Sequence, residues 1–454
     1  MRRLMNRPAG LLVAAMIGLG GERAEALHYA GEGRKTTARD FAVDVQRIEL
    51  PNGLVVLLSP EPTASSVLVW MTFRAGTVYE PRGRSGLAHL VEHVMANGPT
   101  AETDYAALLE RRRARDFNAT TGFDSMTFET SVPPGELPAA LWVAADRIGS
   151  LPALIDDALV ERHRRVVLQE RAIRDVDAPY GLVREHLFSR LYAAPHPLHG
   201  AIVGTPGELA RVTAADVRSF AGALLVPANA ILTVVGRFDP LQARRLIEDG
   251  LGRLPAGRRA RIPSLAPLSQ ALLEMKEEAI SREPRVSLAW RFPHVPHDEA
   301  TALELGAQLL SFLTDGAWGM RLHADLEEYA FESVFRVDLT VPYDEPIRAV
   351  QGDVDAFLRQ LTQREMSFEL LLAANLALDR KAMFDLDTLE GRAGRLSRLE
   401  RLFGSKVSVS QDLSTHWMFD PPTLRDTARV YLGNPRVVVH ARPVRPRPAR
   451  VERE

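Results

Sequence analysis

Ser85-Gly86-Leu87-Ala88-His89-Leu90-Val91-Glu92-His93 is the stretch from which this chain is best read. On a helix, residues four apart lie one above the other on a common face, so His89 and His93 can aim two imidazoles at one point. Glu92 sits on the adjoining part of that face and can reach a water at a metal without ligating the metal itself. His-x-x-Glu-His is the inverted order of the more familiar zinc helix. A catalytic zinc takes three protein ligands and keeps one position open. The third has to come from elsewhere, and the helical run from His163 to Glu170 offers Glu170. The competing reading of the five residues alone is an exposed polar helix face, or a core histidine satisfied by a nearby carboxylate.

Outward from the motif, the chain of 454 residues is too long for one hydrophobic core, since cores stop growing at roughly 250–300 residues. A formal charge of −2 gives no footprint for nucleic acid, whose binders show a basic face. There are no cysteines, so disulfides are excluded and any bound metal must use histidine and carboxylate ligands. Arg2, Arg3 and Arg7 precede an apolar run over residues 9–19, and Ala24-Glu25-Ala26 offers a cleavage site. Residues 1–26 therefore read as a secretory signal, with an uncleaved anchor as the rival. No later segment approaches ~18 uninterrupted apolar residues, so no membrane span is expected after the signal is removed. Export across the inner membrane to the bacterial periplasm is the expected destination.

Two halves follow, each reading as the same kind of unit. In the first, residues 54–58 and 67–73 look like paired strands. A helix follows around His89, then an extended stretch over 118–132, a long helical region over 136–174 and a strand over 230–235. The second half opens with a strand over 285–292 and a helix over 299–313. A strand near 333–341, a helical region over 368–402 and a closing strand over 436–440 complete it. Strands and helices mix without regular βαβ alternation, which predicts the α+β class. The expected divisions are a signal over 1–26, a metal-binding domain over 27–250 and a linker over 251–270, then a second domain over 271–441 and a disordered tail over 442–454.

These surroundings resemble the pitrilysin and mitochondrial-processing-peptidase (insulinase-like) family of zinc peptidases. Leu50-Pro51-Asn52-Gly53-Leu54 is similar to the family's opening strand and turn, and Ser85 to His93 to its zinc helix with the usual lead-in. Asn118-Ala119-Thr120-Thr121, followed by Asp124 and Thr127-Phe128, is similar to the extended segment beside the metal. The separation between His93 and Glu170 is the family's spacing. His196-Pro197, Gly204, Asn229-Ala230 and Val234-Val235-Gly236 match recurrent later positions.

The resemblance implies one zinc ion per chain on His89, His93 and Glu170, with Glu92 as general base. It also implies an edge strand at Asn118, Ala119 and Thr120 that holds a peptide or unfolded segment in extended form. The implied fold is two similar α/β-sandwich units of the LuxS/peptidase-like metalloenzyme type. Each is a mostly antiparallel sheet packed with helices, and the two together enclose a cavity.

Three departures matter. His163 stands where the family often has a supporting glutamate, and reads as a solvated helix residue rather than an extra ligand. The glycine pair that often precedes the Asn-Ala step is missing, with Ala114-Arg115 near that place. In the second half, Glu327 and Ser333 fall where an arginine and a tyrosine used for substrate are usual, and no zinc motif is present. The expectation is a metalloendopeptidase working as a heterodimer with a related zinc-less subunit, a homodimer being the other arrangement. The alternatives are a non-catalytic scaffold that kept the fold and a metal carrier in which Glu92 would be dispensable.

Overall fold

The structure, a computed structural model, describes residues 43–98, 104–194, 196–262, 273–312, 321–342, 347–433 and 436–443. The expected signal over 1–26, the linker from 263 onward and the tail beyond 443 lie outside the described residues.

The first sheet is built from β1 (Gln46–Glu49), β2 (Val55–Pro60), β3 (Val67–Phe73), β4 (Asp116–Thr121), β5 (Met126–Val132) and β6 (Ala230–Gly236). Their spatial order is β1-β2-β6-β3-β5-β4. Helices α1 (Leu87–Asn97) and α2 (Tyr105–Arg111) lie between β3 and β4. Between β5 and β6 come α3 (Leu137–Gly149), α4 (Asp157–Arg171), α5 (Val183–Leu191) and α6 (Ala214–Leu224), and α7 (Pro240–Asp249) follows β6.

The second half runs β7 (Leu273–Ala279), β8 (Arg285–Pro293), α8 (His297–Ser311), β9 (Arg321–Glu328) and β10 (Glu332–Thr340). It continues with α9 (Ile347–Gln363), α10 (Phe368–Asp387), α11 (Leu389–Phe403), α12 (Val409–Thr415), α13 (Pro421–Leu432) and β11 (Val437–Pro443). Its sheet order is β7-β11-β8-β10-β9. Strands β7 to β11 thus repeat the arrangement of β2 to β6. Each sheet has one parallel pair, β2 with β6 and β7 with β11, and is otherwise antiparallel. The molecule is α+β with two similar units.

Strands β2, β3, β6 and β8 are largely apolar on both faces because both faces are covered. Along β3, Val69, Met71 and Phe73 enter one core with Leu87, Leu90, Val91 and Val94 of α1. The alternate Leu68 and Trp70 face the other way, against Ala393, Leu396 and Leu399 of α11. The loan is returned: Val183, Leu187 and Leu191 of α5 pack on Ala289, Val334, Val437 and Val439 of the second sheet. Polar contacts follow the same exchange. Arg47 grips Glu400 at 2.9 and 3.0 Å, and Thr233 meets Ser397 at 2.9 Å.

Some expectations need correction. The helical run over 136–174 is two helices broken at Leu151–Leu154, where Pro152 interrupts and the Asp156 side chain caps α4 by accepting from Leu159 N. The run over 368–402 likewise divides at Thr388, whose hydroxyl caps α11. The extended stretch over 118–132 is a hairpin, β4 and β5, turning at 122–125. Arg442 and Pro443, expected in the tail, belong to β11. β9 was not anticipated, because RLHADLEE lies on a sheet edge where no apolar alternation is required.

Candidate metal centre and cleft

Helix α1 starts at Gly86, whose φ of 85° lies in the left-handed region. A side chain there is also excluded by space, since a Cβ would sit 2.3 Å from the carbonyl oxygen of Val203. Gly86 cannot cap the helix with a side chain, and Glu80 does so instead by accepting from Ala88 N at 2.8 Å. At the other end, buried Arg147 donates to Met95 O at 2.9 Å and lies 4.4 Å over the Phe128 ring. A cation at a helix C-terminus opposes the negative end of the dipole. Leu87, Leu90, Val91 and Val94 bury the opposite face, which leaves His89, Glu92 and His93 pointing at α4 and β4.

The structure brings His89, His93 and Glu170 together. His93 Nε2 lies 3.2 Å from His89 Nε2 and 3.0 Å from Glu170 Oε2, and His89 Nε2 lies 3.7 Å from the same oxygen. Tetrahedral zinc with ligand bonds near 2.0–2.1 Å has ligand–ligand edges of about 3.3–3.4 Å. The three atoms therefore span a triangle of the right size, and among the described residues they are the one group of histidines and carboxylates so placed. Burial pushes the pKa of His89 down to about 4, helped by His93, and burial also lowers that of His93. Both rings are held neutral with lone pairs available, the state a metal requires. The donor set fits zinc.

Glu92 is buried, and desolvation pushes its carboxyl up to about 7, opposed by the Thr121 hydroxyl and reinforced by Glu170. Arg174 takes the outer oxygen Oε1 of Glu170 in an ion pair, leaving Oε2 to face the histidines. His89, Glu92 and Glu170 open on a cleft of about 320 Å³, whose walls include Ala119, Thr120 and Thr121 of β4 and Arg184 and Phe188 of α5. Among the described residues, β4 is the edge of its sheet, paired with β5 alone. Ala119 and Thr120 line the cleft. Asn118 lies on the same strand with its side-chain amide given to Glu129 Oε1 at 2.8 Å.

His163 is not the solvated residue expected. It is buried on α4, two turns before Glu170, with its ring 6.4 Å from that of His93. Packing of α4 on α1 covers it, which one helix's sequence cannot show. Glu327 is bonded to Arg184, and Ser333 is buried on β10. The reading by motif missed Phe123, Arg174 and Arg184 as cleft residues, and gave Thr121 no role beyond its place in the extended segment beside the metal. They come from three separate segments, the β4–β5 hairpin, the turn after α4, and α5, and share no spacing that would mark them.

Two family models match the chain: insulinase (peptidase family M16) over residues 55–205, and the peptidase M16 inactive domain over 211–328. These matches place the chain in a metallopeptidase family, and it belongs to the insulinase (M16, pitrilysin) family. It is 26% identical over 288 residues to the zinc protease PqqE of Helicobacter pylori, a match covering 61% of this chain and 63% of that one. It is 27% identical to the probable zinc protease PqqL of Escherichia coli, covering 56% of this chain and 28% of PqqL. The aligned segment is thus less than two thirds of either relative's length. The crystal structure of a Helicobacter pylori protease superposes with a TM-score of 0.80 at 20% identity, covering 89% of this chain and 100% of that one. The periplasmic protease PqqL of Escherichia coli gives 0.72 at 19% identity, covering 88% of this chain and 48% of that one. At such identities the superpositions speak for the fold.

Proposed function

We propose that this chain is a zinc-dependent metalloendopeptidase hydrolysing peptides or unfolded polypeptide segments, with one zinc ion on His89, His93 and Glu170. The observation that carries the reading is the meeting of those three side chains beside Glu92, in a cleft whose wall is the free edge of β4. Zinc held there supplies Lewis acidity towards a peptide carbonyl and towards water. Glu92 takes the proton of the attacking water and hands it to the leaving amine nitrogen. Its burial makes the carboxylate a stronger base than an exposed one. The β4 edge around Asn118, Ala119 and Thr120 receives the substrate as an added strand, so main-chain pairing gives affinity with little demand on sequence. His163 supports the site through its packing beside His93.

The chain acts in the periplasm, after removal of residues 1–26, beside a related chain that lacks zinc ligands. The periplasmic PqqL relative supports the location. No helix among the described residues is long and apolar enough to cross a membrane. The partner reading rests on the second half, where Glu327 and Ser333 stand at the places of the usual substrate arginine and tyrosine, a pair that a related chain would supply. Full-rate cleavage of unfolded peptides by the purified chain, with no gain from a related neighbour, would refute the partner.

The deciding experiment is hydrolysis of a quenched fluorescent peptide library, with and without a chelator, beside Glu92→Gln. The expected result is chelator-sensitive cleavage that falls by about 10²- to 10⁴-fold in Glu92→Gln while zinc content stays at one per chain. Equal cleavage by Glu92→Gln would remove Glu92 from its role, and a zinc-loaded wild type that cleaves nothing, alone or with its neighbour, would overturn the enzyme reading.

A further inference from the structure

One cation in the cleft is set in place by the opposite half of the molecule. Arg184, on α5, lines the cleft. Its guanidinium lies 4.4 Å from the Phe188 ring centre and 5.3 Å from that of Phe123. Nη2 donates to Glu327 Oε2 at 2.5 Å and to Tyr329 Oη at 3.3 Å. Tyr329 donates in turn to that same carboxylate oxygen. Glu327 stands near the end of β9 and Tyr329 just past it, so both belong to the second half. The other Glu327 oxygen faces Arg336 Nε at 3.3 Å. Tyr329 is 8% exposed and the Glu327 side chain 13%, against 37% for Arg184. The clamp is thus largely buried while the cation it holds remains accessible.

A guanidinium carries five N–H donors in a rigid fork. The contacts with Glu327 and Tyr329 occupy Nη2, and among the described residues none accepts from Nε or Nη1. The surroundings decide what those donors suit. Glu327 already answers the positive charge, and Asp175 and Glu185 also line the cleft. An added carboxylate would meet those acids, whereas a neutral carbonyl needs only donors. A peptide paired with β4 turns the N–H and C=O of every second residue away from that strand. Arg184 of α5 lines the same cleft as Ala119, Thr120 and Thr121 of β4, into which such outward carbonyls would project.

We infer that Arg184 anchors an outward-facing main-chain carbonyl of a peptide lying along β4, and that Glu327 and Tyr329 of the second half are the positioning residues that fix it. The inference rests on the peptidase reading, and it gives the second half a part in substrate binding although it carries no metal ligands.

The test is binding of a fluorescein-labelled unfolded peptide to the full zinc-loaded chain carrying Glu92→Gln, followed by anisotropy, so that no turnover is needed. Added to that parent, Arg184→Ala is expected to raise Kd about ten-fold or more, and Arg184→Lys to restore only part, because an ammonium lacks the fork. Glu327→Gln and Tyr329→Phe are expected to raise Kd several-fold with zinc content and circular dichroism unchanged. With Glu92 intact, the loss is expected in KM rather than kcat. An unchanged Kd in folded, zinc-loaded Arg184→Ala, or in Arg184→Lys should the alanine variant not fold, overturns the anchor and leaves the peptidase reading standing. Weakening by Arg184→Ala alone, with Glu327→Gln and Tyr329→Phe at parental Kd, overturns the role of the second half. No peptide binding by the parent, alone or with its neighbour, overturns both.

Discussion

His196 shows how burial of one ring sets a pH limit on the whole fold. Its Nδ1 accepts from Leu198 N at 3.1 Å, its ring stacks on Tyr192 at 4.4 Å, and Glu332 lies 3.8 Å from Nε2. Burial, reinforced by Arg291 and His199, pushes its pKa down to about 4. An unfolded histidine titrates near 6.5, so between about 4 and 6.5 the unfolded chain binds more protons and stability falls as pH is lowered. At pH 5 the loss from His196 is on the order of 2 kcal/mol. Urea midpoints measured at pH 7 and pH 5 should drop for the wild type and drop less for His196→Asn, which can keep the acceptor. At the metal centre, His93→Ala should reduce bound zinc below one per chain, as read by metal analysis after dialysis against a weak chelator. Retention of full zinc would mean that the ion sits elsewhere.

At the scale of the element, the zinc helix depends on its two ends more than on its propensity. Gly86→Ala places a Cβ against the Val203 carbonyl at a positive φ. Backbone strain alone should lower stability by about 1–3 kcal/mol, with zinc retention falling alongside Tm. Glu80→Ala removes the group that accepts from Ala88 N, and a lost cap costs about 1 kcal/mol. Thermal melts of the metal-free proteins should rank Gly86→Ala below Glu80→Ala, and both below wild type. The reverse order would mean that the Val203 segment yields to the added methyl. Much of α1 was readable in advance, because an apolar face and a histidine face alternate at helical spacing. β9 was not, since its pairing with β10 replaces the apolar signal that a core strand would carry.

Across the whole molecule, the exchange of helices ties the two halves into one folding unit. Leu396 of α11 lies in the cluster with Val55, Leu57, Leu68, Ile231 and Val235 of the first sheet. Leu396→Ala should cost about 2–5 kcal/mol and should lower stability of the first half, although the residue belongs to the second. Calorimetry of the wild type should give one cooperative transition, and two separate ones would show that the exchanged helices do not couple the halves. A chain ending at residue 262 loses α11 and bares that apolar face, so it is expected to aggregate rather than fold as a monomer.

The sequence by itself determined the pattern of His89, Glu92 and His93, because these lie at helical intervals whose geometry is local, whereas Glu170, on another helix, was reached through the family's spacing. It also determined the α+β class and the strands β2, β3, β6 and β8, whose apolar runs announce burial on both faces. Only the tertiary structure decided that His163 is buried, that Thr121, Phe123, Arg174 and Arg184 share the cleft with the metal residues, and that each half lends a helix to the other's sheet. Those facts depend on which surfaces meet across hundreds of residues. No spacing along the chain encodes such a meeting, since it is settled by the summed burial of many side chains rather than by any local preference.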